Sequence, residues 1–196
     1  MGELLLVPGN PIWNRISSGF SVNSEELAIL EDSRLQALRV WPHPQAYADL
    51  GLVHLMNAAT STSEHQMKYN AQLSVEYSLQ AVELAPRNHF TWLRLASAYL
   101  IIEGENSDKA VNAWQRSINL ARHEPLLFTR RVHIGVMLFK KLSAKDREML
   151  RDQLLSAIKW NAKHVAVYAK ENNLEPWMKF LSKGDTQLNM LLASFW

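Results

Sequence analysis

The chain has no cysteine in its 196 residues. That absence removes disulfide frameworks, thiolate zinc sites and cysteine nucleophiles together, and it leaves the compartment open. Glycine is scarce and scattered: Gly9, Gly19, Gly51, Gly104, Gly135 and Gly184 form no run, and none precedes a Lys-Ser or Lys-Thr pair. A phosphate-cradling loop is thereby excluded, and no Gly-x-Ser-x-Gly elbow occurs. Long apolar runs are missing too. Leu4-Leu5-Leu6-Val7 has no basic segment before it and ends at Pro8, too short for a signal peptide or a membrane span. The expectation is a soluble chain; a place at a cell envelope would require an upstream anchor that has been removed.

What is present is ordinary globular material. With 47% hydrophobic and 20% charged residues, the chain is long enough for one sizeable core. The net charge of +2 hides an asymmetry, because the balance is −5 over residues 1–115, +8 over 116–170 and −1 over 171–196. A basic segment of this kind suits nucleic acid or an anionic surface, and solvated outer helix faces also produce it.

Residues 1–23 hold Pro8-Gly9-Asn10-Pro11 and isolated apolar side chains at Ile12, Trp13, Ile16 and Phe20. They read as an extended arm whose aromatics pack onto the body. From residue 24 to 196 the text is one helical domain. Asn23 and Glu26 have capping-box spacing before Leu27, Leu30, Leu35, Leu38 and Trp41. Pro42 and Pro44 end that helix and open the next, and Thr60–Ser63 break it. Further helices are expected over Glu64–Ala85, from an Asn88 cap to Ile102, and from a Ser107 cap to Ala121. Beyond these come Pro125 to about Lys140, a Ser143–Asp146 box through Trp160, and shorter stretches at Lys163–Glu171, Glu175–Leu181 and Gln187–Ala193. No segment alternates with period two, so the fold class is all-α.

Trp92, Leu95, Ala96, Tyr99, Ala110 and Trp114 resemble the 34-residue tetratricopeptide repeat, with Ala96 in place of the family's glycine and two extra residues in the Glu-Gly-Glu-Asn turn. Tyr47, Leu50, Gly51, His54, Ala81 and Pro86 resemble it more loosely, as do Ile134, Gly135 and Leu138. Small residues at Gly51, Ala96 and Gly135 let helices approach closely, and Trp92, Tyr99 and Trp114 fill the space between hairpins. The resemblance spans residues 44–140. It implies a right-handed superhelical stack of about three irregular antiparallel hairpins with terminal capping helices. The order of motifs from Ala81 to Trp160 is also similar to tetratricopeptide-like scaffolds of bacterial surface-polysaccharide assembly.

No catalytic constellation stands out. The seven histidines include no His-Glu-x-x-His pair; His123 and His133 lie ten residues apart, which is poor ligand spacing, and His54 occupies a core position of the repeat. Glu25-Glu26 and Glu31-Asp32 sit where acids favour a helix dipole. Neither metal nor cofactor is expected, and the role implied is a non-enzymatic protein-interaction scaffold. By the resemblance, the first helix of each hairpin lines a concave groove for a peptide segment. That phase selects Gln45 and Asp49, then Phe90, Arg94 and Ser97, then Arg130 and His133, with Leu52, Met56, Leu93, Thr129, Val132 and Val136 as apolar neighbours. Residues 1–23 are the alternative occupant of that groove. A nucleic-acid binder is the other reading: Arg130, Arg131, Lys140, Lys141, Lys145, Arg147, Arg151, Lys159 and Lys163 make residues 116–170 basic, and Trp160 and Tyr168 could stack bases. Trp160, however, has the apolar spacing of Leu150, Leu154 and Ala157, which places it in the core. Contact of this segment with an anionic lipid or polysaccharide surface rests on the same charge.

Overall fold

The computed structural model describes residues 2–184 and residue 194. Among them every regular element is helical, and the helix expected over Gln187–Ala193 lies outside the described residues. The chain divides after Gly104 into two compact units, Met1–Gly104 and Glu105–Trp196. The division falls in the Glu-Gly-Glu-Asn turn, where Gly104 takes φ +76°, a conformation open to glycine and strained for other residues.

The first unit contains a 3-10 stretch Gly2–Gly9, then α1 (Asn10–Ser17), α2 (Ser24–Val40), α3 (Pro44–Thr60), α4 (Glu64–Leu84) and α5 (His89–Glu103). Each start has a local cause. The Asn23 carboxamide accepts from the Glu26 amide while the Glu26 carboxylate accepts from the Asn23 amide, both at 2.9 Å, a reciprocal box that satisfies two orphan donors. Pro44 stands in the first turn of α3, and the Asn88 side chain accepts from the Thr91 amide at 3.1 Å to start α5.

The N-terminal residues are helical, which corrects the expectation of an extended arm over 1–23. A strand would send Ile12 and Trp13 to opposite faces, whereas a helix sets Ile12, Trp13 and Ile16 within one broad face. That face packs against Leu27, Leu30 and Val53. Leu6 is buried with Ala37 and Ala46. Trp13 packs as the sequence suggests, but Phe20, just beyond the turn at Gly19, remains 65% exposed.

Pairings show the direction of the helices. Arg34 meets Asp49 and Glu31 meets His54, so α2 and α3 run antiparallel; Gly51 meets Ser74 and His54 meets Asn70, so α3 and α4 do as well. Gly51 is where α3 and α4 come closest: a Cβ there would stand 2.4 Å from the Ser78 hydroxyl oxygen. The Ser74 hydroxyl donates to the Gly51 carbonyl at 2.7 Å, while the buried Ser78 hydroxyl has no hydrogen-bond partner.

The polar centre of this unit is Arg34, only 1% exposed. Its guanidinium donates to the Asp49 carboxylate at 2.7 Å, the Leu6 carbonyl at 2.5 Å and the Asn10 side chain at 3.0 Å. One side chain of α2 thereby holds α3 and the N-terminal segment together.

The second unit comprises α6 (Asp108–Leu120), a 3-10 turn Pro125–Leu127, α7 (Phe128–Met137), α8 (Ala144–Glu171) and α9 (Glu175–Leu181). Ser107 and Ser143 cap α6 and α8. Trp114 is fully buried and its indole donates to the Arg131 carbonyl at 2.8 Å. A Cβ on Gly135 would stand 3.0 Å from the Trp114 ring and 2.6 Å from Leu150, so the glycine of α7 makes room for both. Arg131 is buried without a carboxylate partner and donates to the Ser117 carbonyl at 2.7 Å and the Ala121 carbonyl at 2.8 Å. These are carbonyls of the last turn of α6, groups a helix cannot satisfy alone. Burial lowers the Arg131 pKa to about 10, with Glu124 acting against the shift.

Two stability measurements test this architecture. Gly51→Ala should cost about 1–3 kcal/mol by overpacking, Ser78→Ala alone should be neutral or stabilising because its hydroxyl has no partner, and the double variant should recover most of the loss in urea melts. Deleting residues 1–17 should lower stability by about 3 kcal/mol or more, since it strips acceptors from a buried guanidinium; an unchanged urea midpoint would refute the packing role of this segment.

Candidate functional site

The groove residues of the first unit are engaged internally. Asp49 is buried and accepts from Arg34, and from Gln45 at 2.7 Å; burial pushes its carboxyl above the ordinary carboxylate range against the pull of Arg34. Arg94 donates to the Ala48 carbonyl at 2.5 Å, and burial lowers its pKa to about 10 despite Asp49. The buried Ser97 hydroxyl donates to the Leu93 carbonyl, and Phe90 is half-buried against the His89 ring. Together Gln45, Asp49 and Arg94 tie α2, α3 and α5 to one another. His54 is likewise occupied, set between Glu31 at 3.6 Å and Asn70 at 3.4 Å and stacked on Tyr77.

In the second unit the arrangement differs. α8 is interrupted at Asn161 (φ −159°, ψ 86°), whose side chain accepts from the His164 amide at 2.9 Å and so restarts the helix. Trp160, expected in the core, is 48% exposed. The reason is angular: at about 100° per residue Trp160 stands about 120° from Leu154 and about 160° from Ile158 around the helix. The buried stripe follows Leu150, Leu154, Ala157 and Ile158 instead.

Across the restart, residues four apart set rings in series. The Trp160 and His164 centroids lie 6.0 Å apart, His164 and Tyr168 6.4 Å, and Tyr168 and His133 of α7 5.8 Å. The His133 Nδ1 and the Tyr168 hydroxyl are 2.9 Å apart. The series runs inward from exposed Trp160 and His164 to half-buried Tyr168 and His133, with exposed Val167 alongside. Arg130, itself exposed, is near enough to Tyr168 for its charge to act on the phenol. Lys159, Lys163 and Lys170 are exposed on the same helix, and neither residues 125–145 nor residues 153–170 contain an acid. The outcome is an apolar and aromatic stripe flanked mainly by cations, with exposed Glu171 the acid at the end of the helix. Of the sequence-selected residues, Arg130 and His133 belong to it. The i, i+4, i+8 spacing of Trp160, His164 and Tyr168 was the available signal for the rest.

Burial, and secondly the Arg130 charge, lowers the His133 pKa and favours the neutral imidazole, whose Nδ1 shares a hydrogen bond with the Tyr168 hydroxyl. Burial raises the Tyr168 pKa, with Arg130 acting against it. Such a pair fixes the orientation of both rings. A cleft of about 610 Å³ between α6 and the start of α8 is lined by Gln115, Asn119, Arg122, Asp146 and Asp152. Within it Arg122 pairs with Asp152 at 2.5 Å and the Gln115 side chain donates to Asp146 at 2.7 Å, and Lys145 and Glu148 also line it. Among the described residues no cluster of metal-ligating side chains occurs. No protein-family model matches the chain, and no curated protein is similar to it.

A pH dependence follows from His133. Its folded pKa lies below its ordinary 6.5, so the stabilisation is full above that value and is lost as pH falls toward the folded pKa. The stability of the wild type should therefore drop between about pH 7 and pH 5 by more than that of His133→Asn, read from urea melts of both at each pH; parallel curves would show that the imidazole does not titrate on folding.

Proposed function

We propose that the chain is a non-enzymatic interaction scaffold that receives a segment of another protein on the stripe of Trp160, His164, Val167 and Tyr168 beside Arg130. The observation that supports this most is the exposure of a half-open tryptophan and a valine within a predominantly basic surface. Apolar side chains of the partner would cover the stripe and supply affinity, and its carboxylates would meet Arg130 and Lys163. Exposed aromatic and arginine side chains are the usual energetic centres of such contacts. The internally satisfied Gln45, Asp49 and Arg94 are assigned to the frame of the first unit.

The likeness of residues 44–140 to tetratricopeptide proteins supports the scaffold role and the superhelical stack that goes with it. Service in assembly or export of a bacterial envelope polysaccharide is the narrower form of the same proposal, and it rests on that likeness. A second reading, nucleic-acid binding by residues 116–170, gains from the exposure of Trp160, because an indole face can stack a base.

Fluorescence anisotropy with a labelled peptide of alternating glutamate and phenylalanine, and with a labelled oligothymidylate, separates the two. The peptide should bind, and Trp160→Ala and Arg130→Glu should each weaken it by about tenfold or more. Oligothymidylate binding that falls steeply with salt would favour the second reading. Peptide affinity unaffected by both substitutions would end the assignment of this face.

A further inference from the structure

α9, Glu-Pro-Trp-Met-Lys-Phe-Leu, turns Met178 and Leu181 inward. Its Trp177 and Phe180, three residues apart, stand outside that pair, and both meet Phe139 from the turn after α7. Ring centroids are 4.9 Å apart for Phe139 and Trp177, 5.6 Å for Phe139 and Phe180, and 5.9 Å for Trp177 and Phe180. The rings cluster at steep angles, and Phe180 is still 56% exposed. Keeping such a ring in water is unfavourable, so its exposure calls for a cover.

The surroundings are cationic. The Arg147 guanidinium lies 4.6 Å over the Phe139 ring and donates to the Phe139 carbonyl at 3.3 Å. Arg151, one turn along α8, donates to the Lys183 carbonyl at 3.3 Å, so both arginines are anchored to backbone rather than to acids. Lys140 and Lys141 are paired with Glu105 and Asp108 and are not counted; Glu175 is the acid of α9. The partner must therefore offer apolar depth together with negative charge. A nucleic-acid strand fits poorly, since stacking takes open ring faces in series, whereas Arg147 already lies over Phe139 and Trp177 meets Phe180 edge to face. A lipid surface fits both demands, with aromatic side chains at headgroup level and arginine and lysine toward anionic headgroups.

We propose that Phe180, Trp177 and Phe139, with Arg147 and Arg151, form a peripheral anchor for an anionic phospholipid surface. This contact is separate from the peptide stripe and adds a location to the scaffold role.

The test is sedimentation of the full chain with vesicles of phosphatidylcholine containing about 30% phosphatidylglycerol, against pure phosphatidylcholine. The wild type should partition to the anionic vesicles and be released by salt. Phe180→Ser should lower partitioning about tenfold and Arg147→Gln about fivefold, with circular dichroism showing both folded. Trp160→Ala should bind vesicles as the wild type does, so loss of peptide binding and loss of lipid binding are read apart. Equal binding to neutral vesicles, or unchanged binding by Phe180→Ser, would overturn the proposal. So would a lipid-free oligomer that Phe180→Ser dissociates, because a second copy would then cover the rings.

Discussion

A guanidinium taken out of water brings five N–H donors that need acceptors, and the position of those acceptors dictates what packs around it. Each unit of this protein is organised about one such group. Arg34 gathers a carboxylate from α3, a carbonyl and a side chain from the N-terminal segment, and the Ser33 hydroxyl. Arg131 closes the last turn of α6 and reaches Gln153 of α8. Neither charge can be left unpaired without a large penalty, so the helices that supply the acceptors are held in register by the same bonds.

The same constraint limits which side chains are left for the proposed contacts. Three polar groups that the sequence assigned to a groove in the first unit are consumed by its own frame: Asp49 by Arg34 and Gln45, Arg94 by the Ala48 carbonyl, Ser97 by the preceding turn. What remains for a partner lies outside the frame, where apolar side chains could not all be turned inward. The break at Asn161 and the short α9 are two such places in the second unit. Each sets aromatic rings beside cations, one as a linear series and the other as a clustered knob, and the difference in shape supports different partners.

Helix boundaries were largely legible because their causes are local. Asn23 with Glu26, Asn88, Ser107 and Ser143 with Asp146 start helices through side-chain bonds spanning three residues, and such spacing is visible in one dimension. The close approaches at Gly51 and Gly135 were legible for a related reason, as an absent Cβ announces where another element can come near. The N-terminal segment was misread because its helical form depends on a long-range cover, Leu27, Leu30 and Val53, that no local pattern shows. Trp160 was misread because its angle around the helix, about 120° from Leu154, departs from the buried stripe. Arg34 and Arg131 carried no local mark at all, being two arginines among many until their acceptors converged from distant positions.

By itself, then, the sequence determined an all-α chain, the places where its helices begin, the absence of thiol chemistry and of a phosphate loop, and a basic segment over residues 116–170. These follow from capping bonds, periodicity and composition, which act over a few residues or over none in particular. Tertiary structure decided which of the like-charged arginines are buried and which, like Arg130, face outward. It also decided that the selected residues of the first unit brace one another, and that Trp160 and Phe180 stand open. Those outcomes depend on acceptors and apolar cover brought together across long stretches of chain, and only packing specifies them.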